Sequence, residues 1–214
     1  MMTPMELRNE RWAPAIVKKL QNRGFTACYV RTRKEALEQA LSWIPEGATV
    51  GWGGSLSVNQ IGLLDRVRDT HPVIDRDAAG TDIEKEERMR QALLSDVFLT
   101  GTNAVSADGQ LVNMDGTGNR VAALTFGPQS VIVVAGMNKA VRSVDAGVER
   151  IRTIAAPVNM MRFLKEDSKT ACSVLGVCSD CNAHDCICNT LVVTRRCRPA
   201  GRIKVLLVGE DLGI

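Results

Sequence analysis

Apolar and polar positions along the chain fall into blocks whose period switches between helical and strand-like. From about Met5 to Asn22 the apolar positions Leu7, Ile16, Val17 and Leu20 share one side of a helix. Pro14 lies inside that segment, where its missing N–H and its ring predict a kink or a division. After Gly24, Thr26–Val30 reads as a short strand. Thr32, with Glu35 three residues on, has the capping-box signature of a helix running from Arg33 to about Trp43. Pro45-Glu46-Gly47 is a turn, Thr49–Trp52 a strand, Val58–Arg68 a helix, Val73–Arg76 a strand and Asp82–Leu94 a helix. This alternation predicts an α/β fold, a mostly parallel sheet flanked by helices.

The middle of the chain changes character. Val97–Val105 reads as one strand, Asp108-Gly109 as a tight turn, and Leu111–Met114 as the antiparallel return of a hairpin. Val131–Ala135 is wholly apolar, as a central strand buried on both faces requires. Helices are predicted over Val141–Ile151 and Val158–Lys165. Beyond them lie a cysteine-rich stretch, a strand at Thr190–Thr194, a turn at Pro199-Ala200-Gly201 and a strand at Ile203–Val208. The expected organisation is an α/β core over 1–165, with 166–214 forming a cysteine-rich segment and terminal strands that complete the same domain.

Composition narrows the function classes. The 214 residues are 45% hydrophobic and 24% charged, enough for a sizeable core. Net charge is +3 from 27 basic and 24 acidic residues with no block of one sign, which argues against nucleic acid as the main partner. Aromatic residues are 4% of the chain, so stacking platforms for single strands are few. No apolar run approaches the ~18 residues of a membrane span, and the start lacks a basic-then-apolar signal, so a cytoplasmic, non-membrane protein is expected. His71 and His184 are the only histidines, which excludes a three-histidine zinc site and makes a histidine-based triad improbable.

Three segments carry candidate chemistry. Gly51-Trp52-Gly53-Gly54-Ser55 joins a strand to a helix, where Gly53 and Gly54 let backbone amides approach an anion and Ser55 adds a hydroxyl. The same residues also suit a tight turn with Ser55 as a helix cap. It is neither a dinucleotide fingerprint nor a Walker A loop. Asn113-Met114-Asp115-Gly116-Thr117-Gly118-Asn119-Arg120 sets an acid, two glycines, two amides and an arginine within eight residues, a set able to grip a polyol, carboxylate or phosphate. The alternative is a surface turn rich in turn formers. Arg120 opens an apolar stretch, so it requires an anionic partner. Gly136-Met137-Asn138-Lys139 ends the most apolar strand, where ligands of open parallel sheets bind and Lys139 can neutralise an anion; a solvated lysine opening a helix is the plainer alternative.

Six of the seven cysteines fall between Cys172 and Cys197, a crowding that suggests a metal or redox site more than a disulfide framework. Cys178 and Cys181, with two residues between them, form the usual bidentate step. Cys172, Cys178, Cys181 and Cys188 are chosen as the four thiolates of zinc or an iron–sulfur cluster, with Cys186 as alternative fourth ligand and His184 able to replace a thiolate. The spacing does not match a ferredoxin. Reduced cysteines, or an oxidised pair, holding down a loop are the competing reading.

Taken in order, Val50–Ser55, Gly101-Thr102-Asn103-Ala104, Asp115–Val121, Gly136–Lys139 and Val208–Gly213 resemble the LUD-domain family, the lactate-utilisation proteins. The resemblance implies a fold similar to that of ribose-5-phosphate isomerase and the CoA transferases, with a ligand cleft at the strand ends. It also implies a part in oxidising lactate to pyruvate alongside iron–sulfur oxidoreductase subunits, company that favours iron–sulfur over zinc. Two classes of function follow. In the first, the cleft binds a small anionic ligand through Gly53, Gly54, Ser55, Asn103, Gly116, Thr117, Gly118, Asn119, Arg120, Asn138 and Lys139, with Asp115 as general acid or base. In the second, the chain is a metal- or iron–sulfur-carrying electron-transfer or regulatory subunit without a catalytic step of its own. A homodimer is expected of this architecture.

Overall fold

The computed structural model describes residues 2–214. In chain order the first half contains α1 (Pro4–Asn22), β1 (Thr26–Val30), α2 (Arg33–Ser42), β2 (Val50–Trp52), α3 (Leu56–Gln60), α4 (Leu63–Thr70), β3 (Val73–Ile74), α5 (Asp82–Gln91) and β4 (Val97–Gly101). The second half contains β5 (Ala104–Ser106), β6 (Leu111–Asp115), α6 (Asn119–Thr125), β7 (Ser130–Gly136), β8 (Ala140–Val141), α7 (Val144–Arg150), α8 (Ala156–Met161), α9 (Ala171–Leu175), β9 (Thr190–Thr194) and β10 (Ile203–Val208). Six strands form one parallel sheet in the order β1-β10-β7-β4-β2-β3. A smaller mixed sheet has the order β8-β5-β6-β9. The last strand of the chain therefore lies inside the main sheet, between β1 at its edge and β7.

Strand periodicity divides the core into two faces. Val131, Val133, Val205, Leu207 and Phe98 pack with Ala13, Ile16 and Leu20 of α1 on one side. Ile132, Val134, Leu206, Val208 and Leu99 pack with Ala36, Ala40, Val58 and Val67 on the other. Both sets are buried, as expected of a parallel sheet covered on two sides. In α1 the buried face is Asn9, Ala13, Ile16 and Leu20, while Leu7 is exposed. The helix runs unbroken through Pro14, which lies on its solvent side, where a freed carbonyl can turn to water. Thr32 and Glu35 form the expected capping box at α2.

Four boundaries depart from the sequence reading. The expected Val58–Arg68 helix is two helices, α3 and α4, broken at Gly62 in the left-handed conformation (φ +74°). The expected Val97–Val105 strand splits at Thr102-Asn103, so β4 joins the parallel sheet and β5 the mixed one. Buried Thr102 fixes that break, its hydroxyl facing the carbonyls of Ala104 and Val112. The expected Val73–Arg76 strand stops at Ile74 because the Asp75 carboxylate accepts the N–H groups of Asp77 and Ala78 and caps a short 3₁₀ turn. Finally, α7 passes through one π turn, Ile151–Ala155, directly into α8, which ends at Met161 instead of Lys165. The hairpin at Asp108-Gly109 forms as read, with Gly109 at φ +84° and Ala104 opposite Val112.

Candidate anion-binding site

The parallel strands β2, β4, β7 and β10 deliver four segments to their shared carboxyl end: Gly53–Ser55, Thr102-Asn103, Met137–Lys139 and Gly209–Ile214. Three cations meet there. Arg120, Lys139 and Arg150 are 9%, 5% and 8% exposed, so each is at least nine-tenths buried.

Arg120 is held by the protein on every side. Its Nη1 donates to Asn113 Oδ1 (2.7 Å) and Gly101 O (3.3 Å), and its Nη2 to Met114 O (2.8 Å) and Asn103 Oδ1 (3.2 Å). Its anionic partner is Asp115, 3.8 Å from Nε. One Asp115 oxygen also accepts the N–H groups of Arg120 and Val121, capping α6. The arginine stem passes Gly53 so closely that a Cβ there would lie 3.1 Å from Arg120 Cγ. Burial lowers the pKa of Arg120, and Asp115 opposes that shift.

Lys139 is less well served. Its Nζ donates to Ser57 Oγ at 2.9 Å, and among the described residues it makes no ion pair. Burial first, then the charges of Arg150 and Arg120, push its pKa down to about 7. Arg150 donates from Nε to Asn138 O (3.1 Å) and from Nη1 to Asn103 O (2.8 Å) and Ile214 O (3.3 Å). Its pKa is lowered by burial, with Asp211 opposing. Asn113 is fully buried, and its Nδ2 has no hydrogen-bond partner among the described residues. Because Oδ1 accepts from Arg120, that unpartnered atom is the donor end of the amide.

The chain after β10 lies over these groups. Asn138 exchanges hydrogen bonds with both backbone groups of Leu212, and Gly213 N donates to Gln60 Oε1. Gly213 sits so close that a Cβ would be 2.8 Å from both Lys139 Nζ and Ser57 Oγ. A larger residue there would have to displace those side chains or lift the tail.

The expected site residues are thus only partly assembled. Gly53, Asn103, Arg120, Asn138 and Lys139 converge, with Asp115 against Arg120. Ser55 caps α3, its hydroxyl accepting from Val58 N at 3.4 Å and lying near Gly101. Gly54 faces Arg76 instead. Gly116 turns towards the cysteine-rich segment, its carbonyl accepting from Asn189 Nδ2, and Thr117 is exposed; Gly118 is the N-cap of α6, which Asn119 opens. Sequence reading missed Ser57 and Arg150, and placed Asn113 in the second candidate segment without a role of its own. Ser57 and Arg150 carried no signal in the sequence.

The cysteines form a separate cluster. Cys172, Cys178, Cys181, Cys186 and Cys188 line one cavity of about 30 Å³ with Met114, Ile151 and Ala156. All seven cysteines are free thiols. Among the described residues no three of His, Cys, Asp or Glu stand in metal-ligating arrangement, so the expected four-thiolate set is near one cavity but not drawn together. His184 points away, largely exposed beside Asp185. Backbone N–H groups of Ala183 and Ala171 lower the pKa of Cys181, whereas burial, then neighbouring sulfurs, push Cys188 up to about 12.

A family model for the LUD domain matches residues 13–208. The chain belongs to the LUD-domain family. This LUD domain is similar in fold to a DUF162 family protein from Deinococcus radiodurans known from a 1.70 Å crystal structure. The TM-score is 0.55 at 15% identity, covering 94% of this chain and 98% of that one. The crystal structure of eIF2B delta from Chaetomium thermophilum aligns over 66% of this chain and 57% of that chain at 20% identity, with a TM-score of only 0.33. No curated protein matches the chain. Among the described residues of the LUD domain, no helix is long and apolar enough to cross a membrane.

Proposed function

We propose that this LUD domain binds a small carboxylate, of the hydroxy-acid class handled in lactate utilisation, at the carboxyl end of its parallel sheet. The observation that carries the reading is Lys139, a nine-tenths-buried amine without a carboxylate partner, beside two buried arginines. Burying a cation unpaired is costly, and an anionic ligand removes the cost. Asn113 Nδ2 supplies a buried donor in the same region.

Burial also argues about size. A ligand that reaches Lys139 must pass or displace Leu212-Gly213, and three enclosed cations suit a lactate-sized anion better than a CoA ester. Arg120 spends its donors on Asn103, Asn113 and two carbonyls, so its part is to fix those amides and lend positive potential. Lys139 is the direct counter-charge. If the bound acid is turned over, Asp115 is the carboxylate held against this cluster and the group to move a proton.

The test is thermal stabilisation by lactate, sugar phosphates and CoA esters in turn. A ligand present at one hundred times its Kd adds about 2.7 kcal/mol, or roughly 5–10 °C for a domain of this size. A rise with lactate that disappears in Lys139→Met is the expected result. A rise with none of the three classes would refute the anion reading.

A further inference from the structure

Between the end of α8 and the start of β9 the chain is built inside out. Only Thr170 and Cys172 are buried there, and α9 is the only helix. Its aliphatic side chains face solvent: Val174, Leu175 and Val177 are 68%, 71% and 58% exposed. Its sulfurs face inwards, with Cys172 buried and Cys178, Cys181, Cys186 and Cys188 half-buried around one cavity. Hydrophobic burial does not explain a segment that turns its valines out and its thiols in. What remains to hold it, apart from the cavity, is a few polar tethers, such as Arg152 to Asp180 at 3.0 Å and Lys169 N to Asp185 Oδ2 at 2.9 Å.

The local backbone already favours sulfur as an acceptor. Asp180, between Cys178 and Cys181, is the one non-glycine residue with positive φ (57°) among the described residues, and its N–H donates to Cys178 Sγ at 3.5 Å. Such a donor stabilises negative charge on sulfur.

We propose that the five-cysteine cavity beneath this segment is a binding site for one thiophilic metal ion, with zinc as the fitting occupant. Thiolate donors select zinc or iron over magnesium and calcium. The cavity, about 30 Å³, has room for an ion among the five sulfurs. Because the thiols surround the cavity without converging, binding is coupled to contraction of the segment and to release of thiol protons. Cys178 and Cys181 supply the two-residue step, and Cys172 and Cys188 complete four ligands, with Cys186 beside them.

The probe is zinc ion alone, added to the reduced full chain and followed by removal of excess. Expected are about one ion per chain, slower alkylation of the five clustered thiols, and protection of the 162–189 segment from protease. Cys178→Ser and Cys188→Ser should each lose the ion, whereas Cys28→Ser, far away on β1, should keep it; circular dichroism establishes that each variant is folded. Alkylation rates and protease sensitivity that zinc leaves unchanged would overturn the site. So would equal zinc retention in all three variants. An iron- and sulfide-dependent visible absorption band without zinc uptake would overturn the single-ion reading.

Discussion

Lys139 Nζ donates to Ser57 Oγ across 2.9 Å, joining the end of β7 to α3, and that neutral hydroxyl is a poor substitute for a counter-ion. An ammonium held this way weakens the ligand-free protein at neutral pH. Lys139→Met keeps the stem's apolar bulk and removes the charge. It should raise the melting temperature of the ligand-free protein by several degrees while abolishing the response to lactate. A melting temperature that falls, measured by calorimetry, would mean that Lys139 is structurally paired after all.

The same lysine sets a pH dependence. Its folded pKa is about 7 against 10.5 for the free side chain, so the penalty is complete below pH 7 and absent above about 10.5. Between those limits the unfolded chain binds more protons, and this group's contribution to stability rises with pH. The full span is on the order of 5 kcal/mol. Chemical denaturation at pH 7 and pH 9 should show the wild type gaining stability relative to Lys139→Met. Lactate affinity should run the other way, falling above pH 7 as the amine loses its charge.

Arg120→Ala tests a different role. The guanidinium ties together Gly101, Asn103, Asn113 and Met114, joining the end of β4 to β6. Its loss strands these acceptors and Asp115, at a cost of about 3–5 kcal/mol. The protein should melt roughly 6–20 °C lower. Arg120→Lys should recover little, because an ammonium cannot serve the four acceptors with a planar fork.

Asp115→Asn keeps an oxygen to cap α6 and loses only the pairing with Arg120. A loss of about 1–2 kcal/mol is expected, with lactate binding retained. Any turnover should vanish. Full activity in the Asp115→Asn variant would remove this carboxylate from the chemistry.

Gly213→Ala tests the cover over the site. The added methyl would meet Lys139 Nζ and Ser57 Oγ at 2.8 Å, and the left-handed φ of +63° adds strain. The tail should lift, costing about 1–3 kcal/mol. Lys139 should then react faster with an amine-acylating reagent, read by mass spectrometry of the Lys139 peptide. An unchanged rate would show that the tail does not limit access.

What the sequence determines by itself is what nearest neighbours encode. The apolar run Val131–Ala135 becomes a strand buried on both faces, as its composition requires, while Thr32 and Glu35 cap α2 and Asp108-Gly109 turns a hairpin through contacts a few residues apart. The ends of β2 and β7 were legible in the sequence, since glycines mark where those strands stop. Tertiary structure alone decides which of their side chains become chemistry. Ser57 meets Lys139 across 82 residues, and Arg150 meets Asn103 across 47. The strand written as Val97–Val105 divides between two sheets because Thr102 finds Val112. Lys139 reads in the sequence as an ordinary lysine. It becomes a poorly solvated cation only when Leu212-Gly213, carried by a strand inserted between β1 and β7, excludes water from its amine.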